Sequence, residues 1–496
     1  MWNPSLTFPL LVVLLALQIQ VGAEKYSNLK KVGTTKNHNN DNKNFHRLKS
    51  QIPSAAMQNN HYELIAMENI VGTSGTSTIL ASIFNLAKTI LGAGVLSLPF
   101  GVASFSDEPS ALYLASFLLV VMGVTSAYSF SSIAQACKLH GVTTFSEAWA
   151  KSVSPSSAYL ISFIITFKTF FACLAYSIII GDSFSQILSS IPMGARFGRN
   201  SVIVGLSTAV ILPLCCLKKL DALKYTSVIG LVGTLYCAGF MGLRLVDGSY
   251  REGGRFFATM AANLRPSFNQ HPMHRGDLHL VFVLLSMIST AYVAHYNAPK
   301  FLTELRDPTM HRFNTVVASA FGFAVLVYLS VMVVGFLSFG GNATGFVLNN
   351  YASTDRLATI ARIAIGGGIL CGYPLTFTAL RDGIMDLWKV PANQRPQAYY
   401  PVTLGLLGAI TAAALRVRNV GAVVSLSGAL IGSLLIYIIP AVLNIYNIPS
   451  LISGSGGSLM KQRMLLLLNV LIALVGATIS IIGVSINLMQ SSAGVH

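Results

Sequence analysis

Charge is scarce in this chain: Asp, Glu, Lys and Arg make up 10% of its 496 residues, against roughly a quarter in an ordinary soluble domain. With 53% hydrophobic residues, that scarcity excludes a soluble enzyme or binding module and implies a polytopic membrane protein. Cysteine is sparse as well. Cys137, Cys173, Cys215, Cys216, Cys237 and Cys371 lie within or at the ends of apolar runs, without metal-ligand spacing and without a pair in an expected outer loop. They read as small core residues rather than as disulfide or zinc positions. Also missing are a Gly-rich phosphate loop, H-E-x-x-H, G-x-S-x-G and paired catalytic carboxylates. No catalytic residue, cofactor or metal is therefore expected.

Acidic residues are outnumbered by basic ones, 17 to 33, for a formal net charge of +16. In a soluble protein this excess would point to nucleic acid. Here the lysines collect in particular connections between apolar runs, which is how membrane orientation is set, so the partner is a lipid bilayer and no nucleic acid is expected.

What the sequence has in abundance is apolar runs of spanning length, about 20 residues each. Eleven are placed near 78–104, 110–136, 157–181, 200–217, 224–247, 278–304, 314–340, 357–388, 398–418, 419–445 and 464–489. The fold class is thus an all-α membrane domain over residues 76–490, followed by a short C-terminal tail, 491–496. Residues 1–23 form a signal-like or extra apolar segment. Residues 24–75 form a polar tail without hydrophobic periodicity, expected to be disordered and cytoplasmic. With that tail inside, Lys138, Lys151, Lys218, Lys219, Lys224, Lys389 and Lys461 fall in cytoplasmic connections, and the outer connections hold no lysine. The sequon at Asn342 then lies in an outer loop, open to glycosylation. The stretch "TTFSEAWAKSV", 143–153, reads as a short amphipathic helix on the cytoplasmic side.

Two of the runs are interrupted. "ILGAGVLSLPFG", Ile90 to Gly101, carries three glycines and a proline inside the first run. In hydrocarbon, an unpaired backbone group costs several kcal/mol, so such irregularity is tolerated only where protein or a water-filled cavity receives it. The first run is expected to be two half-helices, with the amides of the second aimed at a cavity that suits a carboxylate. The sixth run, "MISTAYVAHYNAPKFLTEL", is interrupted too, around His295, Tyr296, Asn297 and Pro299. Breaks in the first helix of each of two five-helix halves point to a transporter binding site.

Four segments, "FNLAKTILGAGVLSLPFG", "LPLCCLKKLDALKYTSVIGL", "AYVAHYNAPKFLTEL" and "VVSLSGALIGSLLIYIIPAVL", resemble the amino acid/auxin permease family, which includes the sodium-coupled neutral amino acid transporters. The resemblance implies eleven helices, an inverted 5+5 repeat of the leucine-transporter type with broken first and sixth helices, and amino acid transport. It implies that the backbone of Gly92, Ala93 and Gly94 holds the substrate carboxylate and that Tyr292, His295 and Asn297 line the opposite wall. Two positions depart from the sodium-coupled pattern. Lys88 stands where those relatives carry an asparagine, and Gly372 replaces a hydroxyl residue two positions before Pro374.

Lys88 lies about ten residues, or roughly 15 Å, into its helix, one turn before Gly92. An ammonium at that depth is functional by default. It serves either as a built-in cation at the end of the first half-helix, titrating or not during transport, or as a structural tie between the half-helices. Lys168 is a second lysine inside a run, with no partner evident from sequence. His295 is either a proton relay or a neutral wall residue. The expectation is a secondary transporter of neutral amino acids, in the plasma membrane or a vacuolar or lysosomal membrane, coupled to protons or uncoupled rather than to sodium. The alternative is a sensor that binds amino acid and signals through its N-terminal tail.

Overall fold

A computed structural model of the protein describes residues 75–189, 197–217, 223–268, 278–453 and 459–492. The signal-like segment, the tail up to residue 74, Lys218, Lys219 and residues 493–496 lie outside the described residues. The chain forms α1 (Ile79–Ile90) and α2 (Leu98–Ala103), which together make the first span. Next come α3 (Ala111–His140), the short α4 (Phe145–Ser152) and α5 (Ala158–Ser189). They are followed by α6 (Arg199–Cys216) and α7 (Leu223–Val246). The sixth span is α8 (Val281–Tyr292) plus α9 (Ala298–Glu304). The last five helices are α10 (Met310–Phe339), α11 (Arg356–Leu387), α12 (Arg395–Arg416), α13 (Val420–Ser450) and α14 (Leu459–Ser492).

Among the described residues, nine helices are long and apolar enough to cross a membrane, and the bent pair in the first span adds a tenth. The helix α7, apolar over Gly230–Val246, completes the expected eleven. The architecture is the all-α one read from the sequence, with its first and sixth spans broken, and α14 packs outside the two five-helix halves against α8 and α13.

Local sequence explains how these helices begin and bend. Thr144 caps α4 by accepting from the Glu147 amide at 3.2 Å, and Glu147 stands at the third position of a capping box. The apolar face of α4, Phe145, Ala148 and Trp149, is buried against α3, α5 and α13, so this helix packs under the bundle. Pro213 and Pro440 each follow a π-helical stretch, Ser207–Ile211 in α6 and Leu434–Ile438 in α13. A proline cannot donate to the carbonyl four residues earlier, and the wider turn re-registers the ladder around that gap.

At the end read as outer, Asp355 caps α11 by accepting from the Leu357 amide at 3.0 Å. Its buried carboxylate also receives Arg244 of α7 at 2.7 and 2.9 Å and the Tyr250 hydroxyl at 2.9 Å. Burial, reinforced by the Asp355 charge, pushes the Tyr250 hydroxyl well above its ordinary range, so it stays protonated and donates. At the end read as cytoplasmic, Ser77 donates its amide to Glu304 and accepts from the Arg306 amide, tying the start of α1 to the end of α9.

Candidate functional site

The site is built where the two broken spans meet. The axis turns by 45° between Ile79–Ile90 and Gly94–Ala103. Leu91 and Gly92 leave the helix there, and a 3-10 turn from Ala93 to Ser97 leads into α2. In the sixth span α8 stops at Tyr292, Val293 and Ala294 are non-helical, and His295–Asn297 turn the chain into α9. A break releases carbonyls on one side and amides on the other. One hydroxyl meets carbonyls from both breaks: Tyr328 of α10 reaches Ile90 O at 2.7 Å and Ala291 O at 2.8 Å. Nearby, Thr290 donates to Val424 O of α13 at 2.6 Å.

Beside these breaks lies a cavity of about 90 Å³. Gly92 and Gly94 form one side of it, Thr290, Ala291 and Val293 another, and Val423, Val424 and Ser427 of α13 a third. The remaining wall is α5, through Lys168, Phe171, Ala172, Ala175, Tyr176 and Ile179. The lining is mostly apolar with a few polar groups, as solute sites usually are. Among the described residues, Lys168 is the single charged side chain that lines it. Its ammonium donates to the Tyr296 hydroxyl at 3.2 Å and lies 5.0 Å from the Tyr296 ring centroid.

The residues singled out from sequence are distributed around this cavity rather than all lining it. Gly92 and Gly94 are in its wall and Ala93 opens the turn between them. Tyr292 and His295 face the other way. Tyr292 is fully buried, stacks on Phe321 and donates to Leu119 O of α3 at 3.3 Å. His295, also fully buried, has Nε2 at 3.1 Å from Ser126 O and 3.0 Å from the Ser129 hydroxyl. The Ser126 carbonyl can only accept, so Nε2 carries the proton. Asn297 is half-buried beside Tyr296. Lys88 is half-buried in the last turn of α1 and does not line the cavity. Gly372 sits in mid-α11, with open space where a side chain would be.

At the end of α9, Lys300 and Glu304 form an exposed pair at 3.8 Å. Arg381 is buried over the Tyr399 ring, 3.9 Å from its centroid, and donates to Cys215 O at 3.1 Å. Asn342 is already engaged with the connection between α7 and α8, donating to Arg265 O at 3.0 Å, and a glycan on its amide would displace that bond.

The cavity is closed at the end read as outer. The loop that follows α10 includes a turn at Val347–Asn350 that packs on the 3-10 turn at Ala93–Ser97. Asp182 of α5 anchors it, accepting from Arg199 at 2.6 Å and from Asn349 at 3.0 Å. Arg362 of α11 adds bonds to Leu348 O at 2.9 Å and Tyr351 O at 2.6 Å. At the opposite rim of the cavity Thr89 is exposed.

Sequence reasoning named Lys168 without a partner and did not find Tyr328. A lone lysine in an apolar run is a visible signal. A tyrosine in another apolar run is not, because aromatic residues are ordinary there.

A cavity at paired helix breaks inside a helical membrane domain is the architecture of a solute transporter. The chain belongs to the family described as transmembrane amino acid transporter protein, whose model matches residues 75–486. It is similar to vacuolar amino acid transporter 5 of Schizosaccharomyces pombe, at 26% identity over 425 residues, covering 84% of this chain and 96% of that one. It is also similar to sodium-coupled neutral amino acid transporter 7 of Mus musculus, at 26% identity over 327 residues, covering 64% and 66%. Among solved structures it matches MhsT in complex with L-phenylalanine, with a TM-score of 0.48 and 13% identity over 84% of this chain and 99% of that one.

Proposed function

We propose that the protein is a secondary transporter of neutral amino acids that works by alternating access, coupled to protons or uncoupled rather than to sodium. The observation that carries this reading is the cavity at the two breaks. The amides of Ala93 and Gly94 open the turn into α2 and have no acceptor within that helix, which suits a carboxylate. Phe171, Ile179, Val423 and Val424 offer an apolar surface to an uncharged side chain. Tyr292, His295 and Asn297 support the wall at the second break from behind. Lys88, at the C-terminal end of α1, complements the negative end of the half-helix dipole, the place a bound cation would otherwise fill. Gly372 supplies no side-chain oxygen to an ion. Both features favour proton-coupled or uncoupled movement. The membrane is the plasma membrane or a vacuolar or lysosomal one; the name of the Schizosaccharomyces pombe relative calls that protein vacuolar.

Uptake of a labelled amino acid mixture into liposomes carrying the purified protein, under an imposed pH gradient or an imposed sodium gradient, tests the proposal. Accumulation driven by the pH gradient alone, or equilibration without accumulation, is expected. Accumulation driven only by sodium overturns the coupling while leaving transport in place. Binding without flux overturns transport and leaves a sensor that signals through its N-terminal tail.

A further inference from the structure

The cavity contains a positive charge that forms no ion pair with an acidic side chain among the described residues. Among the described residues, Lys168 is the one charged side chain in its lining, and its partner is a phenol rather than a carboxylate, the Tyr296 hydroxyl at 3.2 Å. The ring of Tyr296 adds a cation–π contact at 5.0 Å. A neutral oxygen and an aromatic ring hold an ammonium, but they do not cancel its charge, and a cation at membrane depth is costly until an anion pairs with it. Lys168 stands on α5 in the same cavity wall system as Gly92 and Gly94, where the amides of the second half-helix also favour negative charge. Two features of the cavity therefore favour an anion: the ammonium and, among the described residues, the lack of an acidic side chain in the lining.

We infer that the Lys168 ammonium is the counter-ion of the substrate carboxylate, held by Tyr296 when the cavity is empty and pairing with the carboxylate when it is filled. The inference rests on the amino acid transport reading and deepens it. It makes a free carboxylate a requirement for binding and makes amino acids with cationic side chains poor ligands, because a second positive charge would meet Lys168 in a low-dielectric cavity. A neutral side chain faces Phe171, Ile179, Val423 and Val424 without such a penalty.

Competition on the wild-type protein in liposomes needs no variant. The amide of a transported amino acid should compete at least about tenfold more weakly than the acid, the loss expected when a charge-assisted bond is removed. Equal competition by acid and amide overturns the inference while leaving flux, and so the transport reading, intact. Lys168→Met should raise the KM for neutral amino acids by about tenfold or more, narrow the gap between acid and amide, and admit lysine as a competitor. That last effect is a gain, which a folding defect does not produce. Lys168→Arg, which keeps the charge, should retain the discrimination against the amide. A Lys168→Met protein with wild-type KM and undiminished acid-over-amide preference overturns the proposal, as does wild-type binding that depends on chloride rather than on the carboxylate of the ligand.

Discussion

Tyr328 has one hydroxyl proton and two carbonyls within reach, Ile90 O at 2.7 Å and Ala291 O at 2.8 Å, so it donates to one at a time. Both carbonyls lack an i+4 helical donor because their helices stop, although Ile90 O also accepts from the Gly92 amide at 2.7 Å, and all three groups are buried. Tyr328→Phe keeps the tilted ring contact with Tyr292 and removes only the donor. We expect a loss of about 1–3 kcal/mol, seen as a lower melting temperature of the purified protein, together with slower amino acid uptake. Wild-type values for both would deny Tyr328 its part in joining the breaks. The breaks themselves were legible, since glycine and proline in an apolar run announce a departure from helix. The hydroxyl that serves both was not, because its role depends on a third span arriving between the two. Lys168 lies between these cases: its charge was conspicuous, while its neighbour Tyr296 is 128 positions away.

Glycine acts on helix packing at Gly428. A Cβ there would meet the Ser286 carbonyl carbon at 2.5 Å and the Thr290 hydroxyl at 2.7 Å, so α13 and α8 can approach this closely only without a side chain at that point. This contact holds α13 against the end of α8, where Thr290 donates to Val424 O, and so helps to shape two sides of the cavity. Gly428→Ala should destabilise the protein by about 1–3 kcal/mol through overpacking, whereas Gly408→Ala on α12, which faces open space, should leave the melting temperature unchanged or slightly raised. Melting of the two variants in parallel checks the contrast. The sequence showed that the tenth run contains small residues. Which of them meets α8 is a matter of helix rotation, which only packing sets.

At the scale of the whole molecule, the end read as outer is held shut by polar contacts that connect separate parts of the chain. Asp182 joins α5 to Arg199 at the start of α6 and to Asn349 in the loop over the cavity. Arg199 goes on to the carbonyls of Ala414 and Val417 at the end of α12. Removing one partner of a largely buried ion pair typically costs about 3–5 kcal/mol, and in a two-state protein that cost falls on the state that makes the contact. Asp182→Asn is therefore expected to weaken outer closure. Reaction of a cysteine introduced at Val423, in the cavity wall, with a membrane-impermeant thiol reagent added from the outer side should rise several-fold over the same cysteine with Asp182 intact. An unchanged rate would show that the loop stays shut without this clamp.

The amino-acid sequence by itself determined the membrane class, the eleven apolar segments, the positions of both breaks and the capped helix α4. Each follows from composition or from spacing within one segment, and bilayer thickness and backbone hydrogen bonding act on that scale. The tertiary structure decided which side chains share the cavity. It turned Tyr292 and His295 toward α3, set Lys168 against Tyr296 and placed Tyr328 between two helix ends. Those outcomes depend on how helices rotate about their axes and on which spans become neighbours. Residues far apart in sequence fix both through packing, and no pattern within a single run records the result.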